Sequence, residues 1–160
     1  MILFLDFDGV LHPDEVYLTR KGPELRASGT LFMWAEILAE ELVQWPQVEI
    51  VLSSSWVRTL GFQRAKNYLP ESLKTRVIGS TWHSSMAKEW ADKIWWDQST
   101  RHGQIRRHVG RANLINWLAI DDNAEGWAAS DLHRLVHTNG QLGLSDIRAL
   151  SELRTKLSSN

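Results

Sequence analysis

The sequence predicts an α/β domain on a doubly wound, mostly parallel sheet, a Rossmann-like arrangement, and three observations predict it. Short apolar runs recur at 2–7, 48–52, 75–81, 114–120 and 132–138. Helical stretches fall between several of them, and alternating strand and helix is the order that covers both faces of a parallel sheet. Three of the runs end in polar residues fit for chemistry: Asp6 with Asp8, Ser53 to Ser55, and Asp121 with Asp122. Parallel strands carry such ends to one edge of the sheet, where ligands bind near a switch in strand order.

The elements follow in order. "ILFLDF" at 2–7 reads as a strand buried on both faces. Residues 12–29, "HPDEVYLTRKGPELRASG", are rich in turn formers and charges and predict a loop or small flap. An amphipathic helix is expected over 30–45, with Leu31, Trp34, Ala35, Leu38, Leu42 and Trp45 on one face, ended by Pro46. "VEIVL" at 48–52 is the second strand, a short helix over 61–69 stops at Pro70, and "TRVIGST" at 75–81 is the third strand. Residues 82–112 predict helices without clear boundaries. "LINWLAI" at 114–120 and "LHRLVHT" at 132–138 are the fourth and fifth strands. A last helix over about 146–157 carries the stripe Ile147, Leu150, Leu153 and Leu157, with Ser145 as its expected N-cap.

The 160 residues and 43% apolar content suffice for one domain, 1–160, and no repeat or linker divides it. A net charge of -1 argues against a broad electrostatic surface for nucleic acid or anionic membrane. Without Cys there is no disulfide, thiolate nucleophile or Cys-based zinc site, which suits a cytoplasmic location. The opening residues lack the basic stretch and length of a signal peptide, and no apolar run approaches the roughly 20 residues of a membrane span. None of the six His has a close ligand spacing to another, so no zinc site is expected. His12 follows the acid pair and reads as a turn residue before Pro13 or as a substrate contact. The nine Trp read mainly as packing, with 82–96, containing Trp90, Trp95 and Trp96, as the candidate surface for a partner protein. Arg106, Arg107, His108 and Arg111 form a small basic cluster, either a solvated helix face or a guide for a phosphate backbone.

Four carboxylates converging on one edge repel strongly unless a cation sits among them, and hard oxygen donors favour Mg2+. "DFDGVL" at 6–11, "VLSSSW" at 51–56 and "LAIDDN" at 118–123 resemble the first, second and fourth motifs of the haloacid dehalogenase (HAD) superfamily, in order and over nearly the whole chain. The "LSSSW" and "RHGQI…IDD" features resemble small capless HAD domains, including those linked to RNA repair proteins. The stretch from Asp6 to Ser53 leaves room for a flap and one helix, not a large cap.

The resemblance implies a Mg2+-dependent phosphatase acting on a phosphorylated small molecule, a nucleotide or a nucleic-acid end. It makes Asp6 the nucleophile that forms an aspartyl-phosphate and a metal ligand. Asp8 becomes the acid/base, with its backbone carbonyl on the metal, and the second acid disfavours a dehalogenase. Gly9 serves the tight turn, and Ser53, or Ser54 in the adjacent register, hydrogen-bonds the phosphoryl group. Asp122 completes the metal site, with Asp121 as ligand or support. The family's third motif is a Lys or Arg between the third and fourth strands. Arg101, which opens a helix before the fourth strand, is the first choice, ahead of Lys88 and Arg106. Two other classes stay open: a phosphoacceptor regulatory domain, and a catalytically silent module binding through 82–96 and the basic cluster.

Overall fold

The computed structural model describes residues 1–159. Strand β1 (Ile2–Leu5) is buried along its whole length. The flap is an antiparallel hairpin of β2 (Val16–Thr19) and β3 (Gly22–Leu25). Helix α1 (Ala35–Glu41) leads to β4 (Glu49–Leu52). Three short helices, α2 (Ser55–Leu60), α3 (Phe62–Asn67) and α4 (Glu71–Lys74), then precede β5 (Val77–Ser80). Helices α5 (Trp90–Gln98) and α6 (Arg101–Ala112) fill the stretch of unclear boundaries. Strands β6 (Trp117–Asp121) and β7 (Leu135–His137) and helix α7 (Ile147–Ser158) complete the chain.

Among the described residues the main sheet has the order β5-β4-β1-β6-β7, and all its neighbours are parallel. The chain works outward from β1 through β4 and β5, then returns to the other side for β6 and β7. That reversal opens a crevice at the carboxyl end of β1. The register sets its depth. Leu5 pairs with Leu52 on one side and Ile120 on the other, so Asp6, Ser53 and Asp121 follow at one level. Alternation along β1 sends Leu3 and Leu5 to the larger core, with Leu38 of α1 and Leu153 of α7. Ile2 and Phe4 go to the other face, against Ile105 and Val109 of α6. The segments between the sheet strands hold a hairpin and helices rather than a cap domain. No helix among the described residues is long and apolar enough to cross a membrane.

Several boundaries differ from the sequence expectation. The first strand stops at Leu5, because Asp6 and Phe7 turn into the loop. The helix expected over 30–45 starts only at Ala35, since Phe32 takes a left-handed backbone with φ of 61° that no helix accommodates. The helix expected over 61–69 is α3, and a further helix, α2, precedes it across Gly61, whose φ is 90°. The N-cap of α7 is Asp146, whose Oδ1 accepts from Arg148 N at 2.9 Å, while the Ser145 hydroxyl turns back to Leu142 O. Thr100 caps α6 by accepting from Gly103 N at 3.2 Å, and Asn113 ends it in the left-handed region.

One side chain closes the gap between α1 and β4. The Arg76 guanidinium donates to the carbonyls of Leu42, Trp45 and Val48 at 2.8, 2.9 and 3.2 Å. The Leu42 and Trp45 carbonyls also accept from Trp45 N and Val48 N at 3.0 and 3.1 Å, so the fork adds a second donor to each and ties the turn to the strand. Arg76→Ala removes three hydrogen bonds but leaves Leu42 O and Trp45 O their backbone donors, and is expected to lower stability by about 1–2 kcal/mol, read from the urea midpoint. Arg76→Lys, with a single ammonium in place of the fork, recovers only part of that.

Candidate active site

Asp6 lies one residue beyond β1 and is 5% exposed. Its Oδ1 accepts from Phe7 N at 2.7 Å, and its Oδ2 accepts from Arg101 Nη2 at 3.2 Å. Arg101 is the first residue of α6, and its Nε also stands 3.2 Å from Asp121 Oδ2. One guanidinium therefore bridges the ends of β1 and β6. Of the three cations the sequence offers, the structure brings Arg101 to the carboxylates. Lys88 is exposed in the turn before α5, and Arg106 pairs with Asp131 at 3.6 Å.

Asp121 is the last residue of β6, 1% exposed, and its Oδ1 accepts from Asn123 N at 3.0 Å. Asp122 follows and is partly exposed. Gly9 lets the loop after β1 approach it. Its φ is 67°, and a Cβ there would stand 2.4 Å from Asp122 Oδ2. Thr138, beyond β7, donates from its hydroxyl to Gly9 O at 2.8 Å and holds the turn in place.

One carboxylate oxygen from each of Asp6, Asp121 and Asp122 lies within 4.8 Å of the others. Burial raises the pKa of Asp6, against the pull of Arg101. Burial, then the neighbouring Asp6, pushes Asp121 well above the carboxylate range. Asp122 is pushed up to about 6 by burial, with Asp6 and Asp14 adding to it. The loop after β1 brings in Asp14, an acid the sequence reading passed over. Asp121 Oδ2 lies near Arg101 Nε but off the line of its N–H, and it is buried without a hydrogen bond. Three crowded acids, one guanidinium and a buried oxygen without a donor fit a hard divalent cation.

The Asp8 carboxylate is held apart from this cluster. Its Oδ1 accepts from Trp56 Nε1 at 2.9 Å and from His12 Nε2 at 3.0 Å. Phe32 N donates to His12 Nδ1 at 3.1 Å, so Nδ1 is the acceptor and the ring proton sits on Nε2, aimed at Asp8. His12, directly after the turn at 9–11, is 0% exposed, so its ring is turned to Asp8 rather than open to a substrate. Trp56 sits in the middle of an aromatic box, with ring centroids 5.8 Å from Phe7, 5.2 Å from Phe32 and 5.0 Å from Tyr68. The sequence signal for this arrangement was the Trp ending "VLSSSW", a position whose reach depends on the pitch of α2.

Of the two serines after β4, Ser54 stands with its hydroxyl against Asp6, helping to hold that acid's pKa down, and it also caps α2. The Ser53 hydroxyl is buried with no hydrogen-bond partner among the described residues. A polar cleft of about 720 Å³ opens beside Asp6 and Arg101, walled by Ser55, Arg58, Asp122 and Asn123. Within the mostly exposed Trp-rich segment, Trp82 and Trp96 are buried and pack edge to face at 5.0 Å, and Trp95 lies 4.2 Å beneath the Arg107 guanidinium. Trp90 is 74% exposed.

Residues 2–149 match the family model described as the HAD domain in Swiss Army Knife RNA repair proteins. The chain belongs to that family. No curated protein and no solved structure matches it. A HAD-type domain implies hydrolase chemistry on a phosphorylated substrate. HAD domains generally use Mg2+, and the carboxylates of Asp6, Asp121 and Asp122 are where this one would hold it.

Proton release tests that cluster. With its pKa near 6, Asp122 is about half protonated at pH 6 and ionised at pH 8. A divalent cation binds the ionised form, so binding expels that share at pH 6 and none of it at pH 8. Calorimetric titration with Mg2+ in buffers of different ionisation enthalpy is expected to show more protons released at pH 6 than at pH 8, about half a proton of it from Asp122, and weaker apparent affinity at pH 6.

Proposed function

We propose that this HAD domain is a Mg2+-dependent phosphatase that hydrolyses phosphomonoesters through Asp6, with nucleotides and nucleic-acid ends as its substrate class. The observation that carries the reading is the division of labour between two acids two residues apart. Asp6 faces Arg101 and the metal-competent cluster at the cleft, while Asp8 is gripped by two N–H donors outside it.

In this reading Asp6, Asp121, Asp122 and the backbone carbonyl of Asp8 hold Mg2+, which when bound neutralises charge on the phosphoryl oxygens. Arg101 sets a second positive charge beside Asp6 and lowers the cost of ionising that buried carboxylate. The ionised Asp6 attacks phosphorus. A bond from its oxygen to phosphorus forms as the bond to the leaving oxygen breaks, and Asp8 delivers a proton to that oxygen. A water then gives its proton to Asp8 and attacks the aspartyl-phosphate, freeing phosphate and restoring Asp6. The hydroxyl of Ser54, or of Ser53, steadies a phosphoryl oxygen. His12 and Trp56 keep the Asp8 carboxylate pointed, a task no cap domain performs in this chain. The cysteine-free composition is compatible with a cytoplasmic setting.

Phosphate release from p-nitrophenyl phosphate, nucleotides and 5′- and 3′-phosphorylated oligonucleotides tests the reading. Release is expected with Mg2+, is lost in EDTA, and falls about a thousandfold or more in Asp6→Asn. No release from folded protein that binds Mg2+ overturns it. A stable phospho-Asp6 without turnover points to the phosphoacceptor alternative.

The grip on Asp8 has its own signature. Nitrophenolate departs without a proton and an alkoxide does not, so His12→Phe is expected to slow an alkyl phosphate about a hundredfold and p-nitrophenyl phosphate far less. His12→Gln, which keeps an N–H on a side chain of similar reach, restores part of the loss. Equal losses on both substrates would make His12 merely structural.

A further inference from the structure

Most cations of this chain have partners. Arg58 pairs with Asp97, Arg107 with Asp92 and Arg154 with Glu41, and Lys66, Arg76 and Arg134 donate to backbone carbonyls. Of the several cations whose side chains have neither an ion pair nor a hydrogen bond among the described residues, Arg20, Lys21 and Arg64 fall in one place. Arg20 and Lys21 form the tip of the β2–β3 hairpin, and Arg64 lies on α3 opposite it. All three line one groove of about 610 Å³ that also includes Tyr68, and no acid of the described residues lines it.

This groove and the catalytic cleft share wall residues with a third groove that lies between them in the chain of contacts. Arg64 also walls a neighbouring groove of about 910 Å³, which includes Arg58 and His83 and again no described acid. Arg58 in turn walls the cleft that contains Asp6 and Arg101. Arg64 and the hairpin tip are therefore unpaired cations outside the cleft, and Arg58, paired with Asp97, stands where the acids begin. Tyr68 gives the far end a flat apolar surface. Its ring is stacked on Phe32 at 5.5 Å and 22°, abuts Trp56, and the residue is 40% exposed.

We propose that this groove is a binding track for a single-stranded polynucleotide, whose backbone phosphates run along Arg64, Lys21 and Arg20 and one of whose bases stacks on Tyr68. The inference rests on the phosphatase reading in one respect: it puts the strand's terminal phosphate at Asp6. Unpaired cations sharing an acid-free groove repel one another, and a chain of phosphates relieves that repulsion as a lone phosphate in the cleft cannot. Cationic grooves with an exposed aromatic are how single strands are held without regard to sequence. The net charge of -1 does not oppose this, because attraction is set by the local field rather than the total.

The test is fluorescence anisotropy of the whole chain with a labelled, terminally phosphorylated single-stranded 12-mer, in RNA and DNA forms, beside a labelled mononucleotide. The comparison variant is the triple R20E/K21E/R64E, with R20Q/K21Q/R64Q as the milder form should the first not fold. All three positions are exposed, so hydrolysis of p-nitrophenyl phosphate is expected to stay unchanged. The 12-mer is expected to bind at least tenfold more tightly than the mononucleotide. The triple variant should lose at least tenfold of that, with a salt slope shallower by about 2, the loss of three phosphate contacts. Equal affinity of the two proteins for the 12-mer, or no binding by the parent chain, overturns the track. Poly-glutamate competing as well as the oligonucleotide also overturns it, in favour of an acidic protein partner. p-Nitrophenyl phosphate left intact while the 12-mer binds through the track would sink the phosphatase reading and leave the track standing.

Discussion

The constraint on which the rest depends is the negative charge packed at the end of β1 and β6. The parallel register sets Asp6 and Asp121 side by side, the Gly9 turn brings the next loop onto Asp122, and Arg101 is the guanidinium that reaches in. Each feature is costly or restrictive alone. Raised pKa values on all three acids mean that the fold disfavours their charged forms. A chain selected only for stability would replace such a group with apolar residues of the same volume. The arrangement makes sense as a site prepared for a cation and a phosphoryl group, which together supply what the fold withholds.

Asp6 and Asp8 are two residues apart and live in different surroundings, and local geometry produces the difference. The chain leaves the sheet at Asp6 and bends at Gly9, so the two side chains diverge. Asp6 stays at the crevice and Asp8 turns into the aromatic box of Phe7, Phe32 and Trp56. Phe32 holds a left-handed backbone that an ordinary residue adopts at some cost, and its N–H is what fixes the His12 tautomer. Strain in the loop before α1 thus serves the placement of a proton on a ring aimed at Asp8.

Much of this was legible in the chain. Apolar runs ending in acids or serines announced both the sheet and its working edge, because burial on two faces leaves few residue types for a central strand. The identity of the cation was harder. Arg101 meets Asp6 across 95 residues, and nothing in the local composition separates it from Arg106 in the next turn and a half of the same helix. Only the cap at Thr100, which fixes where α6 begins, decides which of them faces the sheet edge. The choice between Ser53 and Ser54 turned on where β4 ends, and a one-residue shift at a strand end exchanges the two faces. His12 and Trp56 were out of reach for a different reason. Their role lies in a meeting of two loops with helix α2, and composition carries no trace of which segments meet.

Helix α2 ties these threads together. It is six residues long and begins at the Ser54 cap beside Asp6. Its second residue, Trp56, grips Asp8, and its fourth, Arg58, walls both the catalytic cleft and the cationic groove outside it. Gly61 then breaks the chain, so α3 and Arg64 can be placed independently of the catalytic end. A short helix anchored at one end by the reaction centre transmits little slack. Whatever binds beside Arg58 therefore lies within two helical positions of the residue that aims the acid, and recognition of the substrate's far end is mechanically close to proton delivery at its near end. A cap domain would do this by closing. Here the same coupling is built into the packing of one turn and a half of helix against the sheet.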